Sequence, residues 1–208
     1  LAWAAALEAR SEHPLAKAII AKAVLAKAEA GVTEAGVTVN PHAWVPDCLE
    51  LSGTGDLTAL RAFRDGDFMV QDPAARLVSL IADVKPGHRV LDVCAAPGGK
   101  TTQIAGRMMG EGFLLCNEIN PKRSKILSRN IERMAVANAL VTNEHPATLA
   151  QRFPAHFDKV LIDAPCSGEG MFRKEEAAVT DWSVETVQMC ARRQAEILDS
   201  GAQLVRPG

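Results

Sequence analysis

Short apolar runs alternate with helix-like segments through the second half of the chain. Strands are predicted at 89–95, 112–118, 139–142 and 159–163, and helices between them at 100–109 and 121–136. Apolar strands that alternate with helices are typical of βαβ units, in which a mostly parallel sheet is covered on both faces. The pattern therefore predicts an α/β fold.

The first part of the chain has a different pattern. Alanine supplies 12 of the first thirty residues, so two helices are predicted at about 1–10 and 14–30. Short strands and loops are expected between Gly31 and Gly66, where Pro and Gly are frequent. A helix at 72–82 follows, because Asp72 is a good N-cap and Pro73 suits a first turn.

These patterns predict a chain in three parts. They are a helical segment at 1–27, a small α+β lead-in region at 28–70 and a larger α/β domain at 71–208. We see no internal repeat and no low-complexity linker between them.

Composition narrows the class of protein. The 208 residues are 48% hydrophobic and 23% charged, which is ordinary for a globular chain. No apolar stretch approaches the roughly 20 residues that span a bilayer, and the N-terminus does not resemble a secretory signal. The five widely spaced cysteines lack a CxxC pair, so neither disulfides nor a metal site is expected. We therefore expect a cytoplasmic protein without membrane contact.

A glycine-rich turn follows the first strand of the predicted sheet. A phosphate-binding P-loop that ends in Gly99-Lys100-Thr101 needs glycine at position 94, which is Cys94, and the dinucleotide pattern G-x-G-x-x-G is absent. S-adenosylmethionine is the third possible ligand, because small residues let backbone N–H groups approach it and a helix N-terminus favours its carboxylate. Glu118 ends the next strand 20 residues after Gly98, where an acid that binds ribose hydroxyls is expected.

A second loop of interest follows the fourth predicted strand. It reads Asp163-Ala-Pro-Cys-Ser-Gly-Glu-Gly170 and is expected at the same sheet edge as the glycine turn. Cys166 lies between a proline and Ser-Gly, a setting that does not suit a cysteine buried in a hydrophobic core. Its thiol is therefore a candidate reactive group.

Three segments carry a specific resemblance: CAAPGGKT at 94–101, NEINPKR at 117–123 and DAPCSGEGMFRK at 163–174. Together they resemble the Sun family of RNA cytosine-5 methyltransferases, which in bacteria modify ribosomal RNA. The resemblance covers about 28–208. It implies a Rossmann-like methyltransferase sheet, S-adenosylmethionine as cofactor, RNA (ribosomal RNA in the first place) as partner, and no DNA substrate.

The resemblance also implies roles for individual residues. Glu118 binds the cofactor ribose with Arg123 nearby, and Asp163 lies between the cofactor and the target base. The methionine part of the cofactor is assigned to the turn, which consists of Cys94, Ala95, Ala96, Pro97, Gly98, Gly99 and Lys100. Asp163 and Cys166 are the catalytic candidates, because a thiolate that adds to cytosine C6 activates C5.

The family's RNA enzymes use a further cysteine, in a Thr-Cys motif, as nucleophile, and the thiol of the Pro-Cys motif then assists product release. Leu204–Gly208 resembles the segment before that motif, so the main nucleophile is expected beyond Gly208, with the sheet C-terminally incomplete. Two functions remain open. One is methyl transfer through Cys166, as in the related DNA enzymes, and the other is non-enzymatic binding of S-adenosylmethionine and RNA.

Basic residues supply candidate contacts to RNA. Arg173 and Lys174, which follow the Cys166 loop, are predicted to bind the RNA backbone. The basic helix at 121–136 fits RNA binding and a solvated helix face equally well.

The beginning of the chain carries a different resemblance. LEARSEHPLAKAI at 7–19 is similar to the start of the nucleotide-binding domain of heavy-metal P-type ATPases, where the His-Pro pair lies near the adenine. No D-K-T-G-T phosphorylation motif accompanies it. An ATP-binding fragment is thus a third function, supported by His13-Pro14 alone, and we expect this segment to bind no ATP.

Overall fold

The computed structural model describes residues 36–45, 48–68, 70–172, 179–180 and 182–207. The helices predicted at 1–10 and 14–30 lie outside these residues, as do Arg173 and Lys174. Within the described ranges, none of the helices combines the length and the apolar composition that a membrane span needs.

The described elements form one small and one larger sheet with surrounding helices. The strands are β1 Thr38–Pro41, β2 Leu49–Ser52, β3 Arg89–Asp92, β4 Phe113–Asn117, β5 Ala139–Thr142 and β6 Lys159–Leu161. The α-helices are α1 Arg61–Arg64, α2 Pro73–Ile81, α3 Gly99–Met108, α4 Pro121–Arg133, α5 Pro146–Arg152 and α6 Val184–Leu204. The predicted α/β class is confirmed.

The larger sheet is parallel throughout and has the order β5-β4-β3-β6. Asp92, the last residue of β3, is in register with Cys116 of β4 and Leu161 of β6. The carboxyl ends of the three strands therefore lie at one edge, where ligands bind in open α/β sheets. β1 and β2 form a separate antiparallel pair.

Both faces of the parallel sheet are covered by apolar side chains. Successive residues of a strand point to opposite faces, so Val90 packs into one core cluster and Leu91 into the other. Ile104 of α3 and Leu127 of α4 lie in the first cluster. Leu149 of α5, Ile197 of α6 and Phe157 lie in the second. This two-sided burial explains why the strands read as continuous apolar runs.

The N-cap predicted for α2 is confirmed, whereas the end predicted for the basic helix is wrong. The Asp72 side chain accepts a hydrogen bond from the Ala74 N–H at 2.8 Å and begins α2 as predicted. The basic helix predicted at 121–136 ends earlier, at Arg133. Ala135 has a left-handed φ of 49°, and the Val136 N–H donates to the Ile131 carbonyl at 3.1 Å. This Schellman-type closure stops the helix.

Three helices, α1, α5 and α6, are not among the predicted elements. The buried residues of α6 include Cys190, Ile197 and Leu204, spaced by seven, which is a helical periodicity. After α6, Val205 forms a parallel bridge to Phe157. The strands predicted to end at 95 and 163 end earlier, at Asp92 and Leu161, because the chain there turns into the loops of the candidate site.

Candidate cofactor and catalytic site

The glycine turn at the start of α3 depends on two glycines. Gly98 is the N-cap with a left-handed φ of 109°, and no side chain caps the helix there. A Cβ on Gly98 would lie 3.1 Å from Leu127 Cδ1, and one on Gly99 would lie 2.7 Å from Gln71 Nε2. The bare turn leaves the positive end of the α3 dipole open to an anionic group.

Side chains of α4 hold this turn in place. Arg123 Nη2 donates to the Ala96 carbonyl at 2.6 Å, and Asn130 Nδ2 donates to the Pro97 carbonyl at 2.7 Å. The turn is therefore fixed from outside as well as by its own backbone. Asn130 has no role in the sequence predictions, because its partner lies 33 residues earlier in the chain.

Glu118 presents a buried acceptor at the end of β4. The residue is 2% exposed, and its Oε1 accepts a hydrogen bond from the Asn120 N–H at 2.9 Å. Its Oε2 accepts no hydrogen bond within the described part of the chain, although Arg123 Nη1 lies 3.4 Å away. A buried carboxylate oxygen with spare acceptor capacity suits a ligand hydroxyl. The residues present therefore fit the ribose end of S-adenosylmethionine.

Asparagine side chains join the neighbouring strand ends. Asn117 Nδ2 donates to the carbonyls of Val93 and Glu144, at 3.2 and 3.0 Å. Asn143 Nδ2 donates to the Glu118 carbonyl at 2.6 Å. These bonds fix the backbone around Glu118 relative to the glycine turn.

Asp92 is a buried carboxyl group beneath the turn. It is 1% exposed, and its Oδ2 accepts a hydrogen bond from Thr101 Oγ1 at 2.7 Å. Burial raises the pKa of Asp92 to about 7. Burial, together with the charges of Asp92 and Glu118, raises the pKa of Cys94 to about 12. The Cys94 thiol therefore stays protonated at neutral pH and belongs to the turn rather than to the reactive groups.

An ion pair joins the glycine turn to the second loop. Lys100 Nζ lies 2.7 Å from Asp163 Oδ2. The Lys100 side chain is 24% exposed and that of Asp163 is 57% exposed. The resemblance assigns Lys100 to the cofactor site. In the structure its ammonium group contacts the Asp163 carboxylate, which lies on the Cys166 loop.

Cys166 lies on that second loop and is the exposed one among the five cysteines. The loop is held on both sides of it. Gln194 Nε2 of α6 donates to the Pro165 carbonyl at 2.9 Å, and Ser167 Oγ donates to Glu169 Oε1 at 2.7 Å. The thiol is therefore accessible on a loop whose flanking residues are anchored.

Gln71 is a site residue that the sequence predictions do not assign. It is 9% exposed, and its side-chain amide occupies the space that Gly99 leaves by lacking a Cβ. Its Oε1 is buried and finds no hydrogen-bond partner among the described residues. The sequence offers one signal, since Gln71 directly precedes Asp72, the predicted N-cap of the helix.

The parallel sheet, the glycine turn after β3 and the acid that follows β4 define a Rossmann-like methyltransferase fold. The family model described as 16S rRNA methyltransferase RsmB/F matches residues 79–208. The chain belongs to this family of S-adenosylmethionine-dependent methyltransferases, as the motifs of the turn and the Cys166 loop predict.

Curated relatives agree with this assignment. The chain is 43% identical over 145 residues to ribosomal RNA small subunit methyltransferase F of Escherichia coli O7:K1, and the match covers 69% of this chain and 30% of that protein. The same protein of Shigella boydii serotype 18 matches equally. The chain thus spans about a third of the length of the curated relatives that it matches.

Solved structures share the fold. The crystal structure of PH0851 superimposes with a TM-score of 0.85 at 29% identity, over 92% of this chain and 44% of that one. A methyltransferase homolog from Pyrococcus horikoshii gives 0.78 at 23% identity, over 95% and 63%. NSun6 from Pyrococcus horikoshii, solved with SFG, gives 0.64 at 25% identity, over 73% and 38%.

Proposed function

We propose that this chain carries the site for methyl transfer from S-adenosylmethionine to C5 of a cytosine in ribosomal RNA. Membership of the RsmB/F family supports ribosomal RNA as the substrate class. One structural observation carries the proposal. The Lys100–Asp163 ion pair holds the glycine turn beside the loop of the exposed Cys166.

The cofactor site is proposed at the turn and at Glu118. S-adenosylmethionine, when bound, supplies an electrophilic methyl group. The turn from Cys94 to Lys100 offers backbone N–H groups and the α3 dipole to the methionine end. Glu118 Oε2, which accepts no hydrogen bond from the described residues, accepts one from a ribose hydroxyl, and the ion pair with Arg123 keeps that carboxylate oriented.

The proposed chemistry at the base needs a thiolate, because cytosine C5 is a poor nucleophile. When a thiolate sulfur bonds to C6, C5 becomes enamine-like and can take up a methyl group. Loss of the C5 proton to a base and elimination of the thiolate then restore the aromatic ring. Cys166 suits this work by its exposure, whereas Cys94 is held protonated.

Asp163 is proposed to act on the polar edge of the base. Its Oδ2 accepts a hydrogen bond from Lys100 Nζ, which leaves Oδ1 for the N3/N4 edge of the cytosine. A group that exchanges a proton there stabilises the charge that develops when C6 is attacked. The base must be splayed out of its stack, which single-stranded RNA loops allow.

The proposal is tested by methyl transfer from tritiated S-adenosylmethionine to a transcript of small-subunit ribosomal RNA. The product nucleoside is identified by mass spectrometry after nuclease digestion. We expect 5-methylcytidine with the unchanged chain and with Cys48→Ala, which changes a buried thiol elsewhere. Cys166→Ser should abolish turnover, because the sulfur that is proposed to attack C6 is removed, and turnover that survives in this variant would contradict the role of Cys166.

The cofactor half is tested separately by calorimetric titration with S-adenosylmethionine. Glu118→Gln should raise the Kd about 10- to 100-fold, since one hydrogen bond to a charged group is lost. Glu111→Gln, an exposed acid outside the site, should leave the Kd unchanged. Cofactor binding without transfer to cytosine would identify a non-enzymatic binding module, and absence of binding would contradict the proposed cofactor site.

A further inference from the structure

We propose that Phe172 and Trp182 form a stacking platform for an unpaired RNA base that flanks the target cytosine. The inference rests on the proposed function for its substrate class, RNA, and adds a binding site outside the cofactor pocket. Neither residue takes part in the chemistry described above.

The two rings are paired and accessible. Their centroids are 6.4 Å apart at an interplanar angle of 88°, which is an edge-to-face contact. Phe172 is 37% exposed and Trp182 is 39% exposed. An edge-to-face pair fixes the orientation of each ring, and a partly exposed indole can then receive the flat face of a base.

Hydrogen bonds tie this pair to the loop of Cys166. Trp182 Nε1 donates to Glu169 Oε1 at 2.9 Å, and the same oxygen accepts from Ser167 Oγ at 2.7 Å. These bonds lower the pKa of Glu169, so its carboxylate stays ionised as their acceptor. Ser167 directly follows Cys166. The Glu169 carboxylate therefore connects the Trp182 indole to the residue next to the thiol.

Exposed positive charge on α6, the helix that contacts the Cys166 loop through Gln194, favours a nucleic acid as occupant. Arg192 and Arg193 are exposed on α6, directly before Gln194, whose side chain contacts the Pro165 carbonyl. Neither arginine forms an ion pair with another residue in the described ranges. Arginine side chains neutralise phosphates and aromatic rings stack on unpaired bases, so exposed arginines on the helix that contacts the Cys166 loop fit a single-stranded nucleic acid.

Single-stranded RNA is the occupant that these features select. Bases in a duplex are stacked on each other and offer no free face. An apolar protein segment would use the rings but not the two arginines. A base next to a cytosine splayed toward Cys166 has lost its neighbour, and an aromatic side chain can replace that stacking.

The first test uses tryptophan fluorescence as a reporter of stacking. The chain has three tryptophans, so Trp3→Phe combined with Trp44→Phe leaves Trp182 as the single indole. We expect a cytosine-containing single-stranded RNA of about ten nucleotides to quench its emission saturably. RNA that binds by anisotropy without quenching would overturn the proposal.

The second test separates stacking from the hydrogen bond. Trp182→Leu removes the aromatic face and should raise the Kd for this RNA about 5- to 150-fold, whereas Trp182→Phe keeps a ring and should retain most of the affinity. Equal losses in both variants would show that only the bond to Glu169 matters and would overturn the platform. Trp44→Leu, at a tryptophan that is 64% exposed elsewhere, should leave the Kd unchanged.

The outcomes also distinguish this inference from the proposed function. S-adenosylmethionine binding, measured on each variant by calorimetry, should be unchanged and shows that the variant is folded. Quenching by RNA without methyl transfer would support the platform while the proposed function fails. Methyl transfer that is unaffected by Trp182→Leu, in both kcat and KM, would overturn the platform while the proposed function stands.

Discussion

Asp92 is a carboxyl group whose burial makes the stability of the chain depend on pH. Its pKa rises from 3.8 to about 7 on folding, so between these values the folded state holds a proton that the unfolded state has lost. The stabilisation from that proton is fully present below pH 3.8 and is lost as the pH rises through 7. This residue therefore favours folding at mildly acidic pH.

Replacing Asp92 by asparagine should remove that dependence. Asp92→Asn keeps an oxygen that can accept from Thr101 Oγ1 and cannot ionise. We compare the free energy of unfolding of the unchanged chain with that of the variant at pH 5 and at pH 8. The value for the unchanged chain should fall by about 2–3 kcal/mol relative to the variant as the pH rises from 5 to 8. Urea unfolding at the two pH values measures it.

The control for this prediction is Asp199→Asn, an exposed aspartate on α6. The free energy of unfolding of this variant should equal that of the unchanged chain at both pH values. A constant difference between Asp92→Asn and the unchanged chain would show that Asp92 does not take up a proton on folding.

The first residue of α3, Gly99, packs against the Gln71 side chain, which lies just before α2. A methyl group on Gly99 would lie 2.7 Å from Gln71 Nε2. We expect Gly99→Ala to lower the free energy of unfolding by about 1–3 kcal/mol through overpacking, and to weaken S-adenosylmethionine binding because the turn is displaced. Chemical unfolding and calorimetry measure the two effects.

A double-mutant cycle tests the cause. Gln71→Ala opens the space, so Gly99→Ala should cost clearly less stability in that background than alone. Additive losses would indicate that Gly99 is needed for its backbone and not for the room it leaves to Gln71.

Arg133 joins the parallel sheet and its helices to the segment that precedes them in the chain. Arg133 Nη1 donates to the carbonyls of Phe63 and Phe68, at 2.9 and 3.4 Å. Its guanidinium carbon lies 4.6 Å from the centroid of the Phe63 ring. One side chain at the end of α4 thus supplies hydrogen bonds and a cation–π contact to the lead-in region.

Loss of Arg133 should loosen the lead-in region selectively. Arg133→Ala is expected to speed amide hydrogen exchange over 57–68 at least tenfold, since about 1.4 kcal/mol of local stability corresponds to that factor. Exchange in β3 and β4 should change little. Arg129→Ala, on the exposed side of the same helix, is the control, and equal acceleration in β3 would contradict a local role.

Features that depend on neighbours in the chain could be predicted from the amino-acid sequence. The glycine turn, Glu118 and the Cys166 loop are each recognisable within a few residues, because turn chemistry, caps and strand ends depend on neighbours in the sequence. The parallel sheet followed from the alternation of apolar strands and helices. Of the described helices, the short α1 and the longer α5 and α6 were not predicted, although the buried positions of α6 have a helical spacing.

Contacts between groups that are distant in the chain became apparent from the folded structure alone. The Lys100 ammonium forms an ion pair with Asp163, 63 positions later. The Gln71 side chain fills the space at Gly99. The Trp182 indole N–H donates a hydrogen bond to Glu169. Hydrophobic periodicity states which face of an element is buried but not which side chain of another element lies against it. That choice is set by the packing of the whole core, since the helices on both faces must close over the sheet together.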